Sequence, residues 1–596
     1  MKGSSVLLGV FSALRAVHET VALAGPAPEV QHPLQPAWED HGASRERPNI
    51  VFILTDDQDL RLDSLEYMPL IRRHLQDQGT FYTNHFVTTA LCCPSRVSLW
   101  TGRYAHNTNV TDVKPPYGGY PKFVQQGFNA NFLPVWLQEA GYDTYYTGKL
   151  FNAHTVDNYN SPHVAGFNGS DFLLDPYTYS YLNATYQRNH DPPVSYEGQH
   201  TADVLAEKAL GFLDDAIAGG RPFFLAIAPV SPHSNVDPSD ADSKHGPKMT
   251  EPIPAERHRH LFQDVKVPRT DHFNPDTPSG VNWIRRLPQQ NQSNVDYNDH
   301  FYRSRLRALQ TVDELVDEVV ARLTEAGRLD DTYIIYTSDN GYHIGQHRLP
   351  PGKECGFEED IRVPLFIRGP GVPENRIEDA VTTHVDLVPT LFQIAGLEQR
   401  TDFDGTPVPL GEDSTSTRHE HVNVEFWGLA LPEGEFNTLG PENPAVITNN
   451  TYKALRIIGD GYNLYYSVWC SNEHELYDLT TDPYELNNIY PQGRVEDASD
   501  SSILGRPLSQ VIPRLDALLL VLKSCQGIAC VKPWEVLHPA GDVGNLHDAL
   551  SVKYDAFYHA QAKVSYSRCE SGYILDAEGP LTPLVYRDGL PWHAWV

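Results

Sequence analysis

Three short apolar runs constrain this chain more than any other feature: Ile50–Leu54, Phe223–Ala228 and Tyr333–Tyr336. None alternates with polar residues, and each is rich in β-branched or aromatic side chains. Strands of that composition need cover on both faces, which a parallel sheet between helices provides. A fourth run, Val363–Ile367, contains Pro364 and belongs at a sheet edge or a strand start. Helical periodicity fills the intervals. Leu133–Gly141 carries apolar residues at helix spacing and a glycine stop. Phe301–Leu323 repeats Leu306, Leu309, Val312, Leu315, Val319, Val320 and Leu323 before Gly327. Strand and helix in alternation predict an α/β domain with a mostly parallel sheet. Beyond residue 400 the texture changes: Tyr452–Ile458 and Tyr462–Tyr466 flank Gly459-Asp460-Gly461, a hairpin signal for a smaller antiparallel sheet.

A chain of 596 residues buries a large core and allows several domains. The division expected here is a signal peptide over 1–24, a catalytic domain over 46–400 and a C-terminal subdomain over 401–596. The 46 Lys and Arg against 77 Asp and Glu give a net charge of −31, which repels nucleic acid and anionic membranes. A polyanionic substrate would need a local basic patch, whereas a small monoanion needs only a few cations in one pocket. The 26 histidines soften the charge at acidic pH. Lys2 precedes an apolar run, Val6–Leu14, and small residues follow at Val21–Ala24. This reads as an imperfect secretory signal, too short to span a bilayer, followed by a Pro-, His- and Glu-rich leader over 25–48. No other run approaches roughly 18 apolar residues, so no membrane anchor is expected. Five N-x-[ST] sites, at Asn109, Asn168, Asn183, Asn291 and Asn449, favour the secretory route. That route leads outside the cell, to a periplasm or cell wall, or to a lysosome or vacuole. Cys470, Cys525, Cys530 and Cys569 suit one or two disulfides, with the pairing open.

Polar residues follow each apolar run at once. Asp56-Asp57-Gln58-Asp59 comes after the first, Pro229 to His233 after the second, and Asp339-Asn340-Gly341 after the third. Singly, each is an ordinary solvated turn. Together, beyond the carboxyl ends of neighbouring parallel strands, they are placed to form one site. Asp56, Asp57, Asp339 and Asn340 offer only oxygen, which suits a hard divalent ion, and Ca²⁺ better than the water-retaining Mg²⁺. No Cys/His spacing reads as a zinc site. One more run stands out: Cys92-Cys93-Pro94-Ser95-Arg96, then Val97 to Trp100, then Thr101-Gly102-Arg103. Its bland reading is a buried thiol pair, or half a disulfide, before a Pro-Ser helix start.

That run resembles the sulfatase signature, C-x-P-S-R followed by a short apolar step and T-G-[RK]. Further blocks match the family in order: Asp56-Asp57, Gly148-Lys149, Pro232-His233, Asp339-Asn340-Gly341, Gly352-Lys353 before Glu359 to Pro364, and Glu475 to Asn488. The resemblance covers residues 46–490 and implies an alkaline-phosphatase-like sheet flanked by helices. It implies that a formylglycine-generating enzyme oxidises Cys92 to formylglycine (3-oxoalanine) during secretion. Its hydrate then attacks sulfur, and a second hydroxyl, absent from serine, drives sulfate release. Asp56, Asp57, Asp339 and Asn340 with the modified Cys92 would bind one Ca²⁺, and Arg96 would hold the modified residue. Lys149 and Lys353 would grip sulfate oxygens. His233 would protonate the departing alcohol. Many family members carry a histidine where this chain has Phe151; His154 or Asn152 is expected to take its place, and His347 is a further pocket candidate. The implied activity is hydrolysis of sulfate monoesters, with small aryl sulfates as the expected substrate. The doubled Cys92-Cys93 and Gly148 to Asn152 also look like the N-acetylglucosamine-6-sulfatase branch. Two other readings are a phosphoesterase on the same scaffold and a silent secreted glycoprotein. The former usually has Thr or Ser and two metals with more His, and the latter need not keep Cys92 and both lysines.

Overall fold

In the computed structural model the three apolar runs become neighbouring strands at the centre of a ten-stranded sheet. The residues described are 47–238, 248–411, 419–434, 447–491 and 502–587. The expected signal peptide, and the leader up to residue 46, lie outside them. We label the central strands β1 (Asn49–Thr55), β2 (Asp143–Gly148), β3 (Phe223–Ala228) and β4 (Thr332–Ser338). Their spatial order is β4-β1-β3-β2, all parallel, and Gly169–Leu173 continues the parallel set beyond β2. Leu365–Arg368 pairs antiparallel with β4 and begins directly after Pro364, so that proline marks a strand start.

Alternate side chains of β1 enter different cores, as the strand period requires. Ile50, Phe52 and Leu54 pack with Val97, Trp100, Leu133, Leu137 and Leu391 on one face. Val51 and Ile53 pack on the other with Leu205, Phe212, Leu309, Val312 and Val316. The first face holds helix α1 (Cys92–Thr101); the second holds α2 (Thr201–Gly219) and α3 (Gln292–Glu325). Helix α3 starts earlier than apolar periodicity shows, because its first turns are mostly polar. Asn291 caps it, its side chain accepting a bond from the Asn294 amide. Gly327, just past its end, takes the left-handed conformation at φ 63°.

The smaller sheet follows in the C-terminal part. Strands β5 (His421–Phe426), β6 (Tyr452–Gly459), β7 (Tyr462–Trp469) and β8 (His474–Asp478) form an antiparallel meander. Asp460-Gly461 is the two-residue turn between β6 and β7, with Gly461 at φ 77°. One face packs on helix α4 (Leu508–Leu522) through Leu455, Ile457, Leu464 and Tyr466. The other meets Phe86, Val87 and Leu91, just ahead of α1, through Val422, Val424, Ala454 and Tyr465. Within the Glu475–Asn488 block, Asn488 accepts from the Leu476 amide and donates to the His474 carbonyl, so it braces β8. Disulfides join Cys470 to Cys569 and Cys525 to Cys530, while Cys92, Cys93 and Cys355 are free and buried. No helix among the described residues is long and apolar enough to cross a membrane.

Candidate active site

The loops leaving β1, β3 and β4 at their carboxyl ends meet the first turn of α1. Backbone bonds hold them in register: Asp56 N donates to Ser231 O at 3.4 Å and Asp339 N to Thr55 O at 3.1 Å. Asp57 takes a left-handed conformation, φ 66°, and its amide donates to Asp339 Oδ1 at 3.0 Å. Gly148 is fixed by space, since a Cβ there would lie 2.1 Å from the Ala228 carbonyl oxygen. That contact delivers Lys149 from the end of β2.

Cys92, Arg96, Lys149, His233, Lys353 and the oxygen set Asp56, Asp57, Asp339 and Asn340 arrive in one cluster. Cys92, 2 % exposed, opens α1, with Sγ 3.6 Å from Asp56 Oδ1 and 3.9 Å from Asp57 Oδ1. Lys149 Nζ donates to Asp56 Oδ2 at 2.6 Å, and Lys353 Nζ lies 2.6 Å from both Asp57 oxygens. Arg96 Nε donates to Asp339 Oδ2 at 2.7 Å and its Nη1 to the Lys149 carbonyl at 2.6 Å. Asn340 Nδ2 donates to Asp57 Oδ1 at 2.7 Å. His233 Nδ1 donates to the Ser234 carbonyl at 2.8 Å, which turns Nε2 toward Asp57 Oδ2 at 3.6 Å.

Burial sets the electrostatics. Burial alone would raise Asp339, but Arg96 and Lys149 outweigh it and hold the carboxyl well below its usual range. Asp57 is likewise kept low by Lys353 and His233 against its burial. Burial and neighbouring Asp339 keep Asp56 above the usual range despite Lys149. The Cys92 thiol is pushed far up by burial, so as a plain cysteine it stays protonated and is a poor nucleophile. Asp56, Asp57, Asp339 and Glu433 face Arg96, Lys149 and Lys353, four negative groups against three positive.

The donor set fits a hard divalent cation. Three carboxylates converge, ligand atoms of Asp56, Asp57, Cys92 and His233 lie within 4.8 Å of one another, and the buried Asn340 Oδ1 has no hydrogen-bond partner. Such an ion turns the cluster's excess negative charge into one excess positive charge, the complement of a monoanionic ester.

Two nominated histidines are not brought here. His154 is enclosed by Tyr120 and Phe172, ring centroids 4.4 and 5.5 Å away, and burial depresses its pKa to about 3. Its spacing from Lys149 suggested proximity, but the turn after β2 points it into the aromatic core. His347 stacks on Phe357 at 3.8 Å and bonds to Ser279, behind the Asp339 loop. Asn152 does reach the cluster's margin, donating to the Tyr179 hydroxyl at 2.6 Å. Tyr179 itself stacks on His233 at 3.9 Å and takes Lys149 Nζ over its ring at 4.8 Å. Sequence reading missed Tyr179, Glu433 and Arg305. Glu433 accepts from Tyr342 at 2.8 Å and from Ser234, with Oε1 3.5 Å from Lys353. Arg305, on α3, donates to the carbonyls of Asp57 and Pro232 at 2.5 and 3.3 Å, tying two loops together. An arginine inside an apolar helical stripe was the one available signal.

Comparison with known proteins gives one answer. Residues 48–397 match the Sulfatase family, and residues 345–504 match the N-sulphoglucosamine sulphohydrolase C-terminal family. An arylsulfatase of Volvox carteri is 41 % identical over 557 residues, covering 88 % of this chain and 82 % of that protein. An N-acetylglucosamine-6-sulfatase of Capra hircus is 33 % identical over 525 residues, covering 82 % and 85 %. A solved structure in complex with its substrate D-glucosamine-2-N,6-O-disulfate superposes with TM-score 0.60 at 21 % identity, over 75 % of this chain and 94 % of that one. The chain belongs to the sulfatase family and is an enzyme that hydrolyses sulfate esters.

Proposed function

We propose that this enzyme is an arylsulfatase that acts through formylglycine made from Cys92, with one Ca²⁺ held by Asp56, Asp57, Asp339, Asn340 and the modified residue 92. One observation carries the reading: the Cys92 side chain lies buried at a helix N-terminus between Asp56 and Asp57, with Lys149 and Lys353 each 2.6 Å from one of those carboxylates. A thiol there has no role as a nucleophile, whereas a hydrated aldehyde supplies hydroxyls in the same position. The bound cation would supply Lewis acidity toward the sulfate and the hydrated aldehyde.

The chain's own side chains do the rest. Lys149 and Lys353 stay protonated, because Asp56 and Asp57 outweigh burial, and they bind the sulfate oxygens where charge develops. Arg96 holds Asp339 in place and faces residue 92 from one turn along α1. The N-terminus of α1 adds its positive dipole end. His233, its Nδ1 committed to the Ser234 carbonyl, has Nε2 available to give the proton that the leaving alcohol needs.

Small aryl esters suit the overall charge of −31 better than a sulfated polymer, and the Volvox relative bears the arylsulfatase name. Sulfated aminosugars are the second reading, supported by the Capra relative and by the solved structure with a disulfated glucosamine. Secretion as a glycoprotein, matured by a formylglycine-generating enzyme, fits the two disulfides, which persist in oxidising compartments. Exposed sequon residues Asn168 and Asn291 fit it too. A domain boundary near residue 400 places the catalytic loops before it and the β5–β8 sheet after it.

Peptide mass spectrometry across residue 92 should show a chain about 18 Da lighter than the cysteine form, the change from thiol to aldehyde. Cys92→Ser should lose multiple turnover on nitrophenyl sulfate. Normal turnover by that variant, or an unmodified thiol in active enzyme, would overturn the mechanism. Comparing nitrophenyl sulfate, N-acetylglucosamine 6-sulfate and nitrophenyl phosphate ranks the substrate classes.

A further inference from the structure

Behind the loop that carries Asp339 and Asn340, three side chains distant in sequence meet: His272, His347 and Glu359. Their exposures are 2, 1 and 2 %, and one ligand atom from each lies within 4.8 Å of the others. His272 Nε2 is 2.8 Å from Glu359 Oε1. His347 Nδ1 is hydrogen-bonded to Ser279 Oγ at 2.7 Å. With Nδ1 donating to that hydroxyl, Nε2 carries a lone pair, and it is buried without a partner. Glu359 Oε2 is buried and unpartnered too. Buried polar atoms are nearly always satisfied, so several idle ones in one cluster call for an occupant.

The surroundings hold these groups still. Phe357 stacks on the His347 ring at 3.8 Å, and Tyr484 stacks on His272 at 4.6 Å. His347 and Arg348 both sit in the left-handed region, at φ 52° and 67°. Strained backbone of this kind persists where the fold must present a particular side chain. A plain ion pair between His272 and Glu359 would account for one contact, but it leaves His347 Nε2 and Glu359 Oε2 without a role.

We propose that His272, His347 and Glu359 form a second metal site, for a Zn²⁺-class ion, separate from the oxygen cage at Asp56, Asp57 and Asp339. Two imidazoles and one carboxylate suit zinc, with the remaining position left for water. The cage at the reaction centre is built mainly from oxygen and selects a harder ion. Ser279 acts from outside the ligand set, holding the His347 ring in place through Nδ1. The site has structural consequences for catalysis. Tyr342 N donates to Glu359 O at 2.8 Å, Gly341 N to Asp360 O at 2.9 Å, and His347 N to His272 O at 2.8 Å. An ion there fastens the Asp339 loop to the segment after Lys353 and to the segment around His272. The ligands span residues 272–359 with no short spacing, which is why no zinc pattern is legible in the sequence.

The test uses the full-length enzyme, stripped with chelator and reloaded with saturating Ca²⁺. Titration with Zn²⁺ should then show one further equivalent by calorimetry, and Co²⁺ should give visible d–d absorption. Ser279→Ala should weaken Zn²⁺ binding by about tenfold, and His347→Ala should abolish it while keeping a native circular-dichroism spectrum. Calcium-loaded wild type that takes up no Zn²⁺ or Co²⁺ overturns the proposal. So does uptake that both variants retain at wild-type affinity, because the ion then sits elsewhere. Should His347→Ala fail to fold, the wild-type titration and Ser279→Ala decide the matter.

Discussion

At the scale of single residues, the site is a set of buried charges that hold one another ionised. Lys353 keeps Asp57 charged, Arg96 keeps Asp339 charged, and each cation is in turn kept protonated by its carboxylate. Removing either partner of such a pair strands a buried charge, so alanine variants of Lys353 or Arg96 damage the fold as well as the chemistry. His233 allows a cleaner test, because the proton transfer proposed for it depends on the leaving group. His233→Ala should lower kcat on alkyl sulfates by about 10²- to 10⁴-fold, yet scarcely on nitrophenyl sulfate, whose phenolate departs without a proton. Equal losses on both would show that His233 only shapes the pocket. Asp56, Asp57, His233, Asp339 and Asn340 were legible beforehand because each follows an apolar strand at a short distance, whereas Arg96, Lys149 and Lys353 were nominated through the sulfatase resemblance. Tyr179 was not, because it reaches His233 across a long loop that carries no periodic pattern.

At the scale of elements, what matters is how loops and strands are held at their ends. Glu420, directly ahead of β5, accepts from Trp534 Nε1 and from the Leu546 amide, both at 2.9 Å, and from the Tyr462 hydroxyl. It ties the small sheet to the C-terminal helices. Burial raises its pKa from 4.5 to about 7. Between those values the folded chain keeps a proton that the unfolded chain has released, so stability is full below the lower value and falls as pH rises through the upper one. The drop attributable to this group is about 3 kcal/mol. Glu420→Gln keeps two hydrogen-bonding atoms and no charge. Urea unfolding from mildly acidic to neutral pH should show a flatter profile in the variant, and an unchanged slope would place the titrating proton elsewhere. Gly148→Ala tests the delivery of Lys149. The new Cβ would meet the Ala228 carbonyl, as well as forcing an alanine to φ 106°, so both stability and activity should fall together. A fully active, equally stable alanine variant would mean that β2 can shift without loss.

At the scale of the whole molecule, the large sheet positions the chemistry and the smaller one closes the chain around it. The Cys470–Cys569 bridge spans 99 positions, whereas Cys525–Cys530 spans 5. On the loop-entropy account, replacing both cysteines of the first pair should lower stability by about 4–5 kcal/mol, and replacing the second pair by about 2. Equal losses in urea melts would show that strain or unfolded-state structure, not loop length, governs these bridges. The pairing itself was open until the fold placed four late cysteines in two neighbourhoods. By itself, the sequence determined the α/β class, the strand-end loops and the residues that meet there, since short apolar runs and the loops after them are local patterns. Tertiary structure decided what local patterns do not contain. It sent His154 into an aromatic core, brought Glu433 to Lys353 from across the chain, and gathered His272, His347 and Glu359 behind the Asp339 loop. Those outcomes depend on which faces pack together, and contacts between residues far apart in the chain are fixed only when the core closes.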